Sequence, residues 1–217
     1  MLVEFKLRGL TALLMHADDV EQADLLTEWR QDPDNKGVSK AGDDRSPAWT
    51  WQTYLYRSEE GKIAWPSANL MVCLRQAATQ IVMKKQKTFK EASQAGIWPS
   101  KEYFSFLCQG KEIGMDKIQA MTDLPFAQQV QRCRDLGFTL FTKRARVGTS
   151  KHVRVRPRFD NWSVVGTLEV QDSIPELTTQ VIEQFFTLAG RIGLGDWRTG
   201  CKTPGPYGRF ISELKFK

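Results

Sequence analysis

Val3, Phe5 and Leu7 alternate with Glu4, Lys6 and Arg8, the period-two pattern of a strand with one buried face. From Ser67 the period lengthens. Leu70, Met71, Leu74, Ala77, Ala78, Ile81 and Val82 fall at helical spacing, predicting a core-facing helix closed by Lys84, Lys85 and Lys87 at the negative end of its dipole. The stretch from Ile97 to Asp135 is weakly patterned, although Tyr103 to Leu107 reads as a strand. Phe138 to Val147 and Lys151 to Phe159 are extended runs joined by Gly148, Thr149 and Ser150, the spacing of a hairpin, and Trp162 to Val170 continues as a third strand. Ser173 and Glu176 make a capping box with Pro175 in the first turn. Val181, Ile182, Phe185, Phe186 and Ala189 then form the apolar stripe of a second core helix, and Phe210 to Phe216 predicts a closing strand. Between Ala17 and Arg57, where DPDNKG and AGDDRSP mark turns, apolar periodicity is weak, so the segment reads as a partly flexible insertion.

The order strand, helix, strands, helix, strand predicts an α+β fold: a ferredoxin-like or RRM-like antiparallel sheet with two core helices, a long basic hairpin and a glycine-rich loop before the last strand. The 217 residues, 41% apolar and without low-complexity tracts, fit a single domain over 1–217 with an insertion at about 17–60. No run of about 18 apolar residues and no secretory leader is present, so the expectation is a cytoplasmic protein without a membrane partner. The four cysteines, Cys73, Cys108, Cys133 and Cys201, stand apart without CxxC pairing. Neither a zinc site, a disulfide framework nor another cofactor is predicted.

Charge changes the picture. The chain carries a net +6, yet Asp18 to Glu60 holds eleven acidic and five basic residues, leaving the remainder at +12. Between Lys143 and Arg158 there are seven Lys or Arg and no acidic residue: Lys143, Arg144, Arg146, Lys151, Arg154, Arg156 and Arg158. Strand alternation puts His152, Arg154, Arg156 and Arg158 on one face. Like charges so aligned repel, and an external anion such as a phosphate backbone would relieve them. The competing reading is a solvated edge strand guarded against aggregation.

A second cluster lies between the second helix and the last strand. Gly193, Gly195, Gly205 and Gly208 permit close backbone approach, Arg198, Lys202 and Arg209 add charge, and Trp197 and Tyr207 offer faces for stacking bases. A tightly packed structural loop has the same composition.

This loop, written GLG…GPYGRF, resembles the C-terminal signature of the RAMP superfamily, the RNA-binding proteins of CRISPR effector complexes. The opening FKLRGLTALLMH resembles the first strand and turn of their backbone subunits, and LRGLTALLMH, SKHVRVRPRF and RIGLGDWR together resemble a group of small phage and prophage proteins. The resemblance implies binding of single-stranded RNA by subunits set side by side along the strand, in a homo-oligomer or larger ribonucleoprotein assembly. The four glycines would shape the RNA-facing loop. The acidic insertion and the loop's extra length depart from the pattern.

The leading expectation is therefore a non-enzymatic binder of single-stranded RNA or DNA, RNA preferred. A metal-independent endoribonuclease is the alternative, with His16 as candidate base and a cation of the basic strand as stabiliser. A further alternative is a phage-encoded subunit that contacts host machinery through the acidic segment, whose deletion should leave RNA binding intact. Asp18, Asp19 and Glu21 could hold a hard cation, although a solvated turn suits their spacing better.

Overall fold

The computed structural model describes residues 1–40, 42–84 and 87–217. In chain order its elements are β1 (Leu2–Gly9), β2 (Leu13–Leu14), α1 (Val20–Gln31), β3 (Ala64–Pro66), α2 (Ser67–Ala78), β4 (Val82–Lys84), β5 (Lys87–Thr88), α3 (Lys90–Gly96), β6 (Ile97–Pro99), β7 (Tyr103–Cys108), α4 (Met115–Gln119), α5 (Phe126–Asp135), β8 (Thr139–Val147), β9 (Ser150–Phe159), β10 (Trp162–Val170), α6 (Thr179–Ile192) and β11 (Phe210–Phe216). The fold is α+β with mostly antiparallel pairing. Contacts divide the chain into two compact units: Met1–Leu13, Ala64–Glu112 and Asp160–Lys217 form one, and Leu14–Ile63 with Ile113–Phe159 form the other. Among the described residues no helix is long and apolar enough to cross a membrane.

In the first unit the sheet runs β11-β1-β10-β7-β3, every neighbouring pair antiparallel. Val3, Phe5 and Leu7 are buried, as their alternation predicts. Phe5 meets Phe104 edge-on at 5.0 Å and Phe186 of α6 at 5.7 Å. A Cβ at Gly166 would collide with the Phe5 and Phe104 rings, so glycine there lets the aromatic layer lie flat on the sheet. On the opposite face β1 and β10 present Glu4, Lys6, Arg8, Val165 and Thr167.

Two helix boundaries differ from the sequence reading. α2 stops at Ala78 because Thr79 turns its hydroxyl onto the Gln76 carbonyl at 2.7 Å, and Ile81 instead accepts from the Phe89 N–H at 3.1 Å. The β-branched Val82 starts a short ribbon, so Lys84 and Lys87 face each other across two strands, and Lys85 lies outside the described residues. α6 begins at Thr179, since Ser173 hydrogen-bonds Gln171 and Thr178 supplies the cap, its hydroxyl accepting from the Val181 N–H at 3.4 Å. Ile174, preceding Pro175, is steered away from helix by the proline ring.

The second unit is where the supposed insertion goes. α1 buries none of its residues, but the 3-10 turn Thr50–Tyr54 is core. Trp51 is fully buried, donates its indole N–H to Gln129 at 2.6 Å, and packs on Phe138 at 5.9 Å. Phe138 stacks on Phe159 at 4.9 Å. Gln129 in turn donates to the carbonyls of Thr122 and Leu124. This explains why periodicity misses α5: its inward positions are Gln129 and Cys133, polar and small, with Gln129 satisfied by the distant Trp51 and by the Thr122 and Leu124 carbonyls. Within 17–57, the segment read as a partly flexible insertion, Trp51 and Leu55 are buried core residues of this unit.

Candidate nucleic-acid interface

β8 and β9 pair antiparallel from Thr139–Arg158 to Val147–Ser150, so Gly148 and Thr149 form the turn, with Gly148 at φ 60°. Directly opposed residues share a face. One face carries Lys143 opposite Arg154, Phe141 opposite Arg156, and Thr139 opposite Arg158. The other carries Arg144 opposite Val153 and Arg146 opposite Lys151. The seven cations are therefore split between two faces.

On the first face the row His152, Arg154, Arg156, Arg158 does not project into solvent as a unit. Asp44, 2% exposed, reaches it from the acidic segment. Its Oδ1 accepts from Nη1 of Arg154 at 3.1 Å and its Oδ2 from Nη1 of Arg156 and from the Val155 N–H, each at 3.1 Å. Arg156, 5% exposed, also lies over the Tyr54 ring, its guanidinium carbon 4.4 Å from the centroid. Burial raises the Tyr54 phenol above its ordinary range, and the Asp44 carboxylate pushes it further the same way. His152 is half-buried, its ring against Gly42, while Arg158 is half-buried farther along. The expectation that this strand lacks an acidic neighbour is overturned at Arg154 and Arg156, which both meet Asp44.

Backbone pairing delivers Asp44 to its place. The Val153 N–H donates to Gly42 O at 2.8 Å and the Asp44 N–H to Val153 O at 3.0 Å, so residues 42–44 lie along β9 as an added strand, parallel at Asp43–Val153. Met15 N–H likewise donates to Pro157 O at 3.0 Å. β9 is thus covered, not an edge. Sequence reasoning missed Asp44, though a signal existed: seven cations without local counter-charge, beside a segment of net −6, suggest that the charge arrives from elsewhere.

The second face is different. Arg144, Arg146 and Lys151 are exposed near the turn, as is Lys143 on the first face. Arg146 donates Nε to the Gly148 carbonyl at 3.2 Å, which holds its stem against the turn.

The glycine-rich loop belongs to the first unit. Gly193, Gly195 and Gly208 have positive φ, and so does Trp197 at 47°. A Cβ on Gly208 would strike the Leu194 backbone, one on Gly205 the Trp197 carbonyl, and one on Gly193 the Tyr207 carbonyl at 3.0 Å. The loop's own backbone fills the space each side chain would take. Leu194 N–H donates to Gly208 O at 2.9 Å, Gly200 N–H to Ile192 O at 2.8 Å, and Arg198 bridges Tyr207 in parallel. Close packing therefore accounts for Gly193, Gly205 and Gly208, and a positive φ for Gly195, among the glycines that the resemblance would assign to RNA. Lys202 and Arg209 are exposed, whereas Trp197, Arg198 and Tyr207 are half-buried. Beneath the loop the Cys73 thiol donates to the Ala189 and Gly193 carbonyls and is pushed up to about 12 by burial.

His16 is exposed, its ring edge-on to Tyr54 at 4.8 Å and its carbonyl accepting from the Tyr56 hydroxyl at 3.1 Å. Asp19 caps α1, accepting from the Gln22 N–H at 3.3 Å. Among the described residues no group of three or more His, Cys, Asp or Glu could hold a metal.

No protein-family model matches this chain, and a search of curated proteins finds no relative.

Proposed function

We propose that this protein binds single-stranded nucleic acid, RNA in preference to DNA, by gripping the phosphate backbone with Arg144, Arg146 and Lys151 near the turn of the β8–β9 ribbon. The observation that carries the reading is the exposed group of Arg144, Arg146 and Lys151 on one face, Arg146 directly opposite Lys151. Opposed like charges disfavour the ribbon, and phosphate oxygens would turn that cost into attraction. Arg154 and Arg156 have a different job: sharing the Asp44 carboxylate, they tie the ribbon to residues 42–44.

The order β11-β1-β10-β7 is fourth, first, third, second among the four long strands of its unit, with α2 and α6 as the crossover helices. That order supports a ferredoxin-like plan, in keeping with the RAMP resemblance and its implication of side-by-side copies on RNA. Strands β1 and β10 offer charges, valine and threonine on the open face, no stacking platform of the RRM kind, which favours the ribbon as the contact.

The test is affinity for labelled oligouridylate across a salt series. Log affinity should fall steeply with log salt, and Arg144→Ala, Arg146→Ala or Lys151→Ala should each lower the slope by about 0.7. A flat salt dependence removes the reading. His16, exposed beside Tyr54, supports a second one, metal-independent cleavage. RNA that stays intact in EDTA, with wild type and His16→Ala alike, disposes of it.

A further inference from the structure

The second unit also contains a groove of about 790 Å³ whose walls include Trp29, Trp49, Phe126 and Pro47, with Asp43 and Arg45 among its lining residues. The three aromatic residues are half-buried, not sealed in the core. Asp43 and Arg45 form a two-pronged pair, Nε to Oδ1 at 2.9 Å and Nη2 to Oδ2 at 2.7 Å. The Arg45 hydrogen bonds hold the Asp43 carboxyl below the usual carboxylate range, so the pair stays ionised and the groove gains no net charge from it. A volume of this size suits a flat organic group, and the aromatic walls suit stacking.

The groove is tied to the cationic face by backbone register. Asp43 bridges Val153, and Val153 lies opposite Arg144. Bridge partners share a side of the sheet, so Asp43 is on the face of Arg144, Arg146 and Lys151, while the next residue, Asp44, turns to the Arg154 face. Two strand spacings, about 10 Å, separate Asp43 from Arg144. A strand with phosphates at the ribbon can therefore place a neighbouring base in the groove.

We infer that the groove is a base-stacking subsite which takes a nucleobase of the strand held by the ribbon. The inference rests on the nucleic-acid reading above and adds to it: ribbon contacts supply affinity for any polyanion, and the groove discriminates in favour of one bearing bases.

Two probes separate the parts, oligoadenylate and inorganic polyphosphate, the second carrying phosphates without bases. Trp49→Ala should weaken oligoadenylate binding roughly 5- to 150-fold, leaving polyphosphate affinity and the salt slope unchanged, while Trp49→Phe recovers most of the loss. Trp29→Ala provides a second variant on α1, a helix that buries no residue. Lys151→Ala should weaken both probes. Oligoadenylate binding that is indifferent to Trp49 and Trp29, or equal losses on both probes, overturns the subsite and leaves the ribbon reading standing. Failure of wild type to bind either polyanion overturns both. A proline-rich peptide that binds the groove where oligoadenylate does not would reassign it to a peptide and sink the inference.

Discussion

Asp44 accepts from two guanidiniums and a backbone N–H while 2% exposed, and Arg156 has scarcely more contact with water. Burying such charges costs several kcal/mol per ion unless each meets its partner, so removing one partner is far more damaging than replacing both. Asp44→Ala should lower stability by about 3–5 kcal/mol, read as a drop in urea midpoint, and the double variant Asp44→Ala, Arg156→Met should recover a large part. A loss near zero would mean that water already screens the cluster.

At the scale of elements, the ribbon has a polar anchor at its base and exposed cations at its turn. The segment that supplies the anchor is itself stiffened by Asp43 and Arg45, whose side chains are 15% and 47% exposed. Arg45 depresses the Asp43 carboxyl in the folded state. The pair's stabilisation is therefore complete above the ordinary carboxylate range and is lost as pH falls through the depressed folded value. Solvent screening holds it to about 0.2–1 kcal/mol. Asp43→Asn should be less stable than wild type by about that much near pH 7, with the gap closing in strong acid; urea melts across a pH series read this directly. A gap that widens in acid has the wrong sign and dissolves the assignment.

At the scale of the molecule, the acidic segment is half of the second unit. Trp51, Leu55 and Asp44 lie within it, and each serves the core or charge balance around β8 and β9. Deletion of Asp18–Glu60 should abolish the protection of the ribbon in hydrogen exchange and take the proposed nucleic-acid binding with it. The sequence reading expected binding to survive that deletion. Persistence of both would show that the segment is dispensable after all.

The strands at Val3–Arg8, Trp162–Val170 and Phe210–Phe216, and the apolar faces of α2 and α6, were legible because each repeats at the period of its own element, a local property. The alternation from His152 to Phe159 was legible too, and so was the clustering of cations. What that alternation faces was not. Asp44 lies more than a hundred residues from Arg154, and its contact exists only once residues 42–44 pair with β9. Local spacing determines which side chains share a face. Tertiary pairing decides whether that face meets a carboxylate or water, and so which cations remain for a ligand.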